Sequence, residues 1–143
     1  MADSSLINLE ALRAYQATNY RFDVDQQEII LNIGKYSNQL AMLFYRYDVN
    51  CGAFITAFNP QGKIQSDQAN ELAHVQLLKQ LQDLGLESFE GSGSEPGTQW
   101  PAERSHFALG LELETASTLG RHFNQDAIVW VSDDAIPQLI LLR

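Results

Sequence analysis

Hydrophobic residues follow two different periods along the chain, and the change from one to the other separates predicted helices from predicted strands. Apolar residues that recur every three or four positions form one apolar stripe on a helix. This spacing predicts helices at about Ser5–Thr18, Ser37–Tyr47, Ser66–Leu84 and Thr115–Phe123. Alternation and short apolar runs are typical of strands, which we predict at Glu28–Ile33, Ala53–Phe58, Leu86–Glu90, His106–Leu113, Ala127–Val131 and Gln138–Leu142.

The connecting segments agree with this division. Residue types that cap helix N-termini stand at each predicted start: Ser5 or Asn8, Ser37, Ser66 and Thr115. Glycine, serine and proline predict a loop over Gly91–Gly97, and Asp133-Asp134 predicts the turn of a hairpin. The order of elements predicts a single α+β domain over residues 1–143, with one mixed sheet of about five to six strands and about four helices packed on it.

Charge narrows the range of partners. The 143 residues include 18 acids and 9 bases, a formal net charge of −9, and the bases are scattered. Nucleic-acid binding needs a basic face that releases counterions, and binding to an anionic membrane surface needs basic side chains as well. Because this chain is acidic and its bases are scattered, we expect neither partner. A basic protein partner is favoured instead. Between Asp83 and Glu114 there are seven acids and one base, Arg104, so an anionic ligand would approach this segment against the local field.

Cellular context and cofactor chemistry are also limited by the sequence. Cys51 is the sole cysteine, so no internal disulfide forms, and the N-terminal residues lack the basic and apolar regions of a signal peptide. We therefore expect a soluble cytoplasmic protein. The histidines lack metal-ligand spacing, and the glycines at 91, 93 and 97 lack the Lys-Ser/Thr of a phosphate-binding loop. We predict no metal and no cofactor.

The long predicted helix carries the first candidate site residues. At 100° per residue, Asn70 and His74 fall within the stripe formed by Leu77 and Leu81. Buried polar side chains need partners, so these two either hydrogen-bond loop backbone at the core edge or line a pocket. Asn59 favours the pocket, because it ends a predicted strand just before this helix, where ligands collect in many α/β proteins.

The second candidate set lies where the glycine-rich loop enters a strand. Extended geometry places Glu103 and Ser105 in phase with Phe107 and Leu109, on the core side. A carboxylate there is costly unless it is paired or hydrogen-bonded. One interpretation is a salt bridge or a clamp on backbone N–H groups. The other is a carboxylate with a raised pKa that acts as a general base or binds a ligand donor.

Several short motifs, in this order, resemble the bacterial domain-of-unknown-function family DUF3293. The most specific runs from Gly91 to Ser105, where Gly-x-Gly, Pro-Gly, Trp-Pro and Glu-x-Ser follow one another. The others are Ala14-Tyr15, Thr18-Asn19-Tyr20, Ile33-Gly34, Ile55–Pro60, Asn70 and Phe123–Ile128. The resemblance implies a compact bacterial protein of about this length and brings no activity. The chain departs from the family pattern at Ala73, Asn124 and Asp126, and Ala73 in place of a base argues against a phosphate ligand.

The family pattern and the periodicity choose the same polar residues: Asn59, Asn70, Glu103, Ser105 and Gln125. We hypothesise that they converge on a small pocket for a polar uncharged or cationic ligand, which makes the protein a binding or regulatory module. One alternative is a hydrolase-like enzyme, with Glu103 as general base and the amides positioning substrate. The other is an acidic interaction module that docks a basic protein.

Overall fold

The computed structural model describes residues 7–143, and a seven-stranded sheet organises them. Within this range the α-helices are α1 (Leu9–Ala17), α2 (Asn38–Tyr47), α3 (Asp67–Asp83) and α4 (Leu113–His122). The strands are β1 (Asn19–Val24), β2 (Gln27–Leu31), β3 (Gly52–Thr56), β4 (Ser88–Ser94), β5 (Glu103–Leu109), β6 (Ala127–Val131) and β7 (Pro137–Leu141). A short 3₁₀ turn, Pro60–Gly62, separates β3 from α3.

The predicted α+β class is confirmed, with two differences in the sheet. Its order is β2-β1-β4-β5-β3-β6-β7, so it has seven strands rather than five to six. Every neighbouring pair is antiparallel, so the sheet is not mixed. The additional strand is β1, which forms a hairpin with β2 through Asp25 and Gln26, both at positive φ. Neither is glycine or asparagine, the residues that normally signal such a turn.

Two apolar layers enclose the sheet. On one face Phe22, Phe54 and Phe107 pack with Leu40 and Phe44 of α2. On the other face the side chains of β3, β5 and β6 pack against α3 and α4, through a core that includes Ala53, Ile55, Leu77, Leu81, Ala108, Ala116, Leu119 and Ile128. Alternate residues of β5 therefore face opposite layers. The layer that contains Phe107 and α2 is faced by Glu103 and Ser105 as well, and the layer that contains Ala108 and α3 is faced by Arg104 and His106 as well.

The glycine-rich segment is the clearest correction to the sequence prediction. Gly91 to Ser94 belong to β4 rather than to a loop, and they pair with β1 on one side and β5 on the other. A Cβ on Gly91 would lie 2.1 Å from the Arg21 carbonyl oxygen, so only glycine allows the neighbouring backbone to approach this closely. Glycine here is a packing requirement of a strand, not a sign of a turn.

Helix starts follow the predicted caps with one exception. Side-chain oxygens of Asn8, Ser37 and Ser66 accept hydrogen bonds from N–H groups in the first turns of α1, α2 and α3. Helix α4 instead begins after Glu112, ahead of the predicted cap Thr115, and Ser5 lies outside the described residues. Among residues 7–143, no helix has the length and apolar character needed to cross a bilayer.

Candidate functional site: an amide cluster around Glu103

A sharp turn after β3 places Asn59 between the sheet and α3. The Thr56 hydroxyl accepts a hydrogen bond from the Phe58 N–H (3.0 Å) and donates one to the Arg104 carbonyl (2.7 Å). Asn59 follows in the left-handed region, at φ 46°, which asparagine tolerates better than most residues. The turn brings its backbone N–H to α3 and its side chain to β5.

Asn59, Gln65, Asn70 and Glu103 form a hydrogen-bonded group that we call the amide cluster. Asn59 Oδ1 accepts from the Gln65 N–H (3.1 Å) and Asn70 Nδ2 (3.0 Å). Asn70 Oδ1 accepts from the Asn59 N–H (2.9 Å) and Gln65 Nε2 (2.7 Å). Asn59 and Asn70 are buried, and both amide oxygens already hold two donors. Their role is to fix the geometry of the cluster.

Glu103 stands at the outer side of this cluster. Its Oε2 accepts from Asn59 Nδ2 (2.8 Å) and from the indole Nε1 of Trp100 (3.2 Å). Burial raises the pKa of the Glu103 carboxyl, and these two hydrogen bonds only partly oppose that effect. Within residues 7–143 no hydrogen bond reaches Oε1 and no basic side chain pairs with Glu103. The result is a half-buried carboxylate held by neutral donors, with one oxygen uncommitted.

The negative charge of Glu103 also acts on Tyr15 of α1. Burial, and then the negative charges of Asp126 and Glu103, raise the pKa of Tyr15 to about 12, while Arg143 acts in the opposite sense. The hydroxyl is therefore protonated at neutral pH and can donate. The backbone carbonyl of Tyr15 accepts from the Tyr20 hydroxyl (2.9 Å), which ties α1 to β1.

Ser105 and Gln125, two other predicted site residues, hold backbone beside the amide cluster. The buried Ser105 hydroxyl donates to the Glu103 carbonyl (3.1 Å). Gln125 Nε2 donates to the carbonyls of Phe58 (3.0 Å) and Phe123 (3.4 Å), and so joins the segment after α4 to the turn before Asn59. Neither side chain makes a hydrogen bond to the side chains of the amide cluster.

His74, the remaining candidate, belongs to a separate group between α3 and strands β4 and β5, which we call the histidine cluster: Glu71, His74, Glu90, Arg104 and His106. The rings of His74 and His106 stack with centroids 4.1 Å apart and planes 17° from parallel. His106 Nε2 lies 3.3 Å from the His74 carbonyl oxygen. A carbonyl only accepts, so this nitrogen carries the hydrogen.

The two carboxylates of the histidine cluster share one guanidinium. Glu90 Oε1 accepts from His74 Nε2 (2.8 Å) and Arg104 Nε (2.9 Å), and Arg104 also pairs with Glu71. Burial alone would raise the pKa of Glu90, but the hydrogen bonds from Arg104 and His74 outweigh it and lower the pKa. Burial lowers the pKa of His106 to about 4, so its ring is neutral at neutral pH.

The structure therefore divides the six sequence candidates. Asn59, Asn70 and Glu103 form one network, Ser105 and Gln125 support its backbone, and His74 lies elsewhere. Sequence reasoning missed three contributors: Gln65, Tyr15 and Trp100. Gln65 precedes the helix cap Ser66, and nothing local distinguishes it. Tyr15 and Trp100 stand in the motifs that resemble the family, which was the one available signal.

Cavities and metal-ligand groups do not extend this site. One open groove of about 430 Å³ runs past Leu78, Leu86 and His106, and another of about 560 Å³ lies between α2 and the β1–β2 hairpin. Neither of these two grooves is lined by the amide cluster. The described residues contain no group of three or more His, Cys, Asp or Glu placed to hold a metal ion.

Comparison with known proteins identifies the family of the chain but assigns it no activity. A family model described as protein of unknown function (DUF3293) matches residues 55–128, more than half of the chain. The matched range includes all six sequence candidates, together with Gln65 and Trp100. No curated protein and no solved structure matches the chain significantly.

Proposed function

The chain belongs to the DUF3293 family, and since that membership brings no activity, we propose from the geometry of the site that the protein binds a small polar ligand at Glu103. The observation that carries the proposal is the carboxylate itself. Glu103 is half-buried, its Oε2 is fixed by Asn59 and Trp100, and its Oε1 has no partner among the described residues. A desolvated carboxylate is costly, and a ligand donor at Oε1 would offset that cost.

Three groups are available to such a ligand. Glu103 Oε1 accepts hydrogen bonds, the indole ring of Trp100, which is 45% exposed, supplies an apolar face, and Tyr15, on which the charge of Glu103 acts, is a candidate third group. Asn59 and Asn70 are not available, because their oxygens are saturated within the cluster. They preorganise Glu103, which favours binding by removing the cost of ordering it.

The chain provides an internal control for a binding test. It has two tryptophans, and Trp130 donates its indole N–H to the Leu111 carbonyl (2.9 Å), away from the amide cluster. We expect polar fragments with a donor group to shift the Trp100 indole N–H signal in nitrogen–proton NMR spectra and to leave the Trp130 signal in place. If no fragment in a chemically broad polar set moves the Trp100 signal selectively, the proposal fails.

A catalytic role for Glu103 is the second candidate, and its raised pKa favours it. A carboxyl with an uncommitted oxygen and a pKa above its ordinary value suits general-base catalysis. This hypothesis requires that a hydrolysable ligand, once found, is turned over. Glu103→Gln preserves an acceptor for Asn59 and Trp100 but cannot take a proton, so turnover should disappear while ligand binding changes much less. Unchanged turnover would exclude Glu103 as the base.

Docking of a basic protein remains a prediction of the acidic composition. It requires complex formation that weakens as salt is added, because exposed charges are screened within about 10 Å at 0.1 M ionic strength.

A further inference from the structure

Charge balance around Glu103 suggests which ligands the proposed site would take. Both hydrogen bonds to its carboxylate come from neutral groups, an amide and an indole. Neutral donors orient a carboxylate but leave its negative charge uncompensated. No Lys, Arg or His forms an ion pair with Glu103 within residues 7–143. A cationic group is the missing complement.

The base nearest in sequence does not supply that charge. Arg104 follows Glu103 directly, but successive residues of a strand point to opposite faces. The Arg104 guanidinium is bound to Glu71 and Glu90 on the α3 face. The remaining charged side chains between residues 83 and 114 are acidic. This segment of the sequence therefore supplies Glu103 with no counter-charge.

Trp100 gives the site a second feature that favours a cation. Its indole N–H is bound to Glu103 Oε2 at 3.2 Å, so the ring is held against the carboxylate, and 45% of the residue is exposed. The face of an indole attracts ammonium and guanidinium groups more strongly than the rings of Tyr or Phe do. An exposed indole beside an unpaired carboxylate presents two complementary surfaces to one cation.

We infer that the ligand at Glu103 carries a cationic N–H group, an ammonium or a guanidinium, which donates to Glu103 Oε1 and lies against the Trp100 ring. This inference rests on the proposed ligand-binding function and specifies its substrate class. A guanidinium would bind through one N–H and leave the next to solvent, because Oε2 is occupied by Asn59 and Trp100.

Two probes of the same shape and different charge test the inference. Methylguanidinium and methylurea both present planar N–H groups, but only the first is cationic. We titrate each into the full chain and follow the indole N–H signals of Trp100 and Trp130. Methylguanidinium should reach half-saturation of the Trp100 shift at about a tenfold lower concentration, because a charge-assisted hydrogen bond is about twice as strong as a neutral one.

Two variants test whether the preference for methylguanidinium over methylurea is due to the carboxylate of Glu103. Glu103→Gln removes the charge and preserves the acceptor, so the two probes should become equivalent. Glu90→Gln removes a carboxylate that Arg104 and His74 already neutralise, so the preference should be retained. The Trp130 signal reports whether each variant is folded. Should Glu103→Gln not fold, the comparison of the two probes on the natural chain still decides, because it needs no variant.

The outcomes separate the two claims. If neither probe nor any polar fragment moves the Trp100 signal, the proposed function fails and the inference fails with it. If methylurea binds as well as methylguanidinium, the polar-ligand site stands and the cationic class is wrong. If the preference persists in Glu103→Gln or disappears in Glu90→Gln, the cation is recognised by a different carboxylate and the inference is overturned.

Discussion

Two carboxylates on neighbouring strands, Glu103 of β5 and Glu90 of β4, have opposite environments although α3 contacts both of their clusters. Asn70, in the first turn of α3, helps hold Asn59 against Glu103, and His74, one turn later, binds Glu90 directly. Glu90 has Arg104 as a counter-charge, and its pKa is lowered. Glu103 has an amide and an indole, and its pKa is raised by burial.

The difference shows how a polar network can be structural in one place and a candidate site in another. In the histidine cluster both carboxylates have a counter-charge, because Glu71 and Glu90 pair with Arg104, although the buried His74 Nδ1 has no hydrogen-bond partner among the described residues. The amide cluster satisfies its amides and leaves one negative charge without a counter-charge. Groups with perturbed pKa values and incomplete partners are candidates for function, and by that criterion Glu103 qualifies and Glu90 does not.

The largest effect is expected from Asn59→Asp. This change removes the donor to Glu103 and places a second carboxylate against the first. Breaking a buried polar pair in this way costs about 3–5 kcal/mol, so the free energy of unfolding at neutral pH should fall by that amount in a denaturant titration. The loss should shrink at lower pH, where a protonated Asp restores the donor.

The matched control is Asn124→Asp, also at positive φ (56°) but exposed, which should change stability little. Equal effects of the two changes would contradict a buried network.

A second prediction concerns the strand that carries Glu90. Gly91→Ala forces a methyl group into the Arg21 carbonyl, where the available separation is 2.1 Å. Overpacking against backbone costs about 3 kcal/mol, and the change should displace Glu90 from Arg104 more than it disturbs the amide cluster. In Gly93→Ala the new Cβ would lie 3.5 Å from its nearest atom, a methyl carbon of Thr18, which is an ordinary contact. The melting temperature should therefore barely change. Similar melting temperatures for the two variants would show that the close approach is not rigid.

The pH dependence of stability should originate in the histidine cluster. Unfolded His106 takes up a proton below its ordinary pKa of 6.5, whereas folded His106 remains neutral until about pH 4. The unfolded state therefore binds more protons in this window, and stability falls as pH is lowered through it, by ~3 kcal/mol at most. His106→Gln should flatten the profile between these values, and the exposed His122→Gln should not. If the natural chain and His106→Gln lost the same stability between pH 6.5 and 4, the burial of His106 would be contradicted.

The smallest effects distinguish the charge of Glu103 from its hydrogen bonds. Its raised pKa means that the folded state binds more protons above the ordinary value of 4.5, so its contribution to stability decreases as pH rises. Glu103→Gln should therefore change the unfolding free energy at neutral pH by less than about 1 kcal/mol, or increase it, whereas Glu103→Ala should cost about 2 kcal/mol through the unsatisfied Asn59 amide. A loss with Gln as large as the loss with Ala would mean that the charge itself stabilises the fold.

Local patterns were sufficient for much of the fold and for part of the site. Helix caps at Ser37 and Ser66 and the apolar strand at Ala127–Val131 are determined by neighbours in sequence, and each was predicted from them. Local sequence does not predict strand β1, because its turn uses Asp25 and Gln26, and it wrongly predicts a loop at Gly91, because the close contact of Gly91 with Arg21 is not local.

For the site, strand and helix ends indicated Asn59, Asn70 and Glu103, and the structure brings these three together. His74 was grouped with them because it shares a helical stripe with Asn70. One turn of helix is enough to place it with Glu90 and His106 instead. The partition into two clusters depends on strand order, which brings Glu90 against His74 and leaves Glu103 to reach α3 only through Asn59, and periodicity carries no information about strand order.

The most direct test of the contrast is a carboxyl-carbon NMR titration that resolves Glu103 and Glu90 in the same sample. Both residues have an ordinary pKa of 4.5 as the reference. We predict that Glu103 titrates above that value and Glu90 below it, because one carboxylate is desolvated without a counter-charge and the other is neutralised by Arg104. If Glu103 titrates at or below the midpoint of Glu90, its charge is already compensated, and the basis for a ligand site at Glu103 is removed.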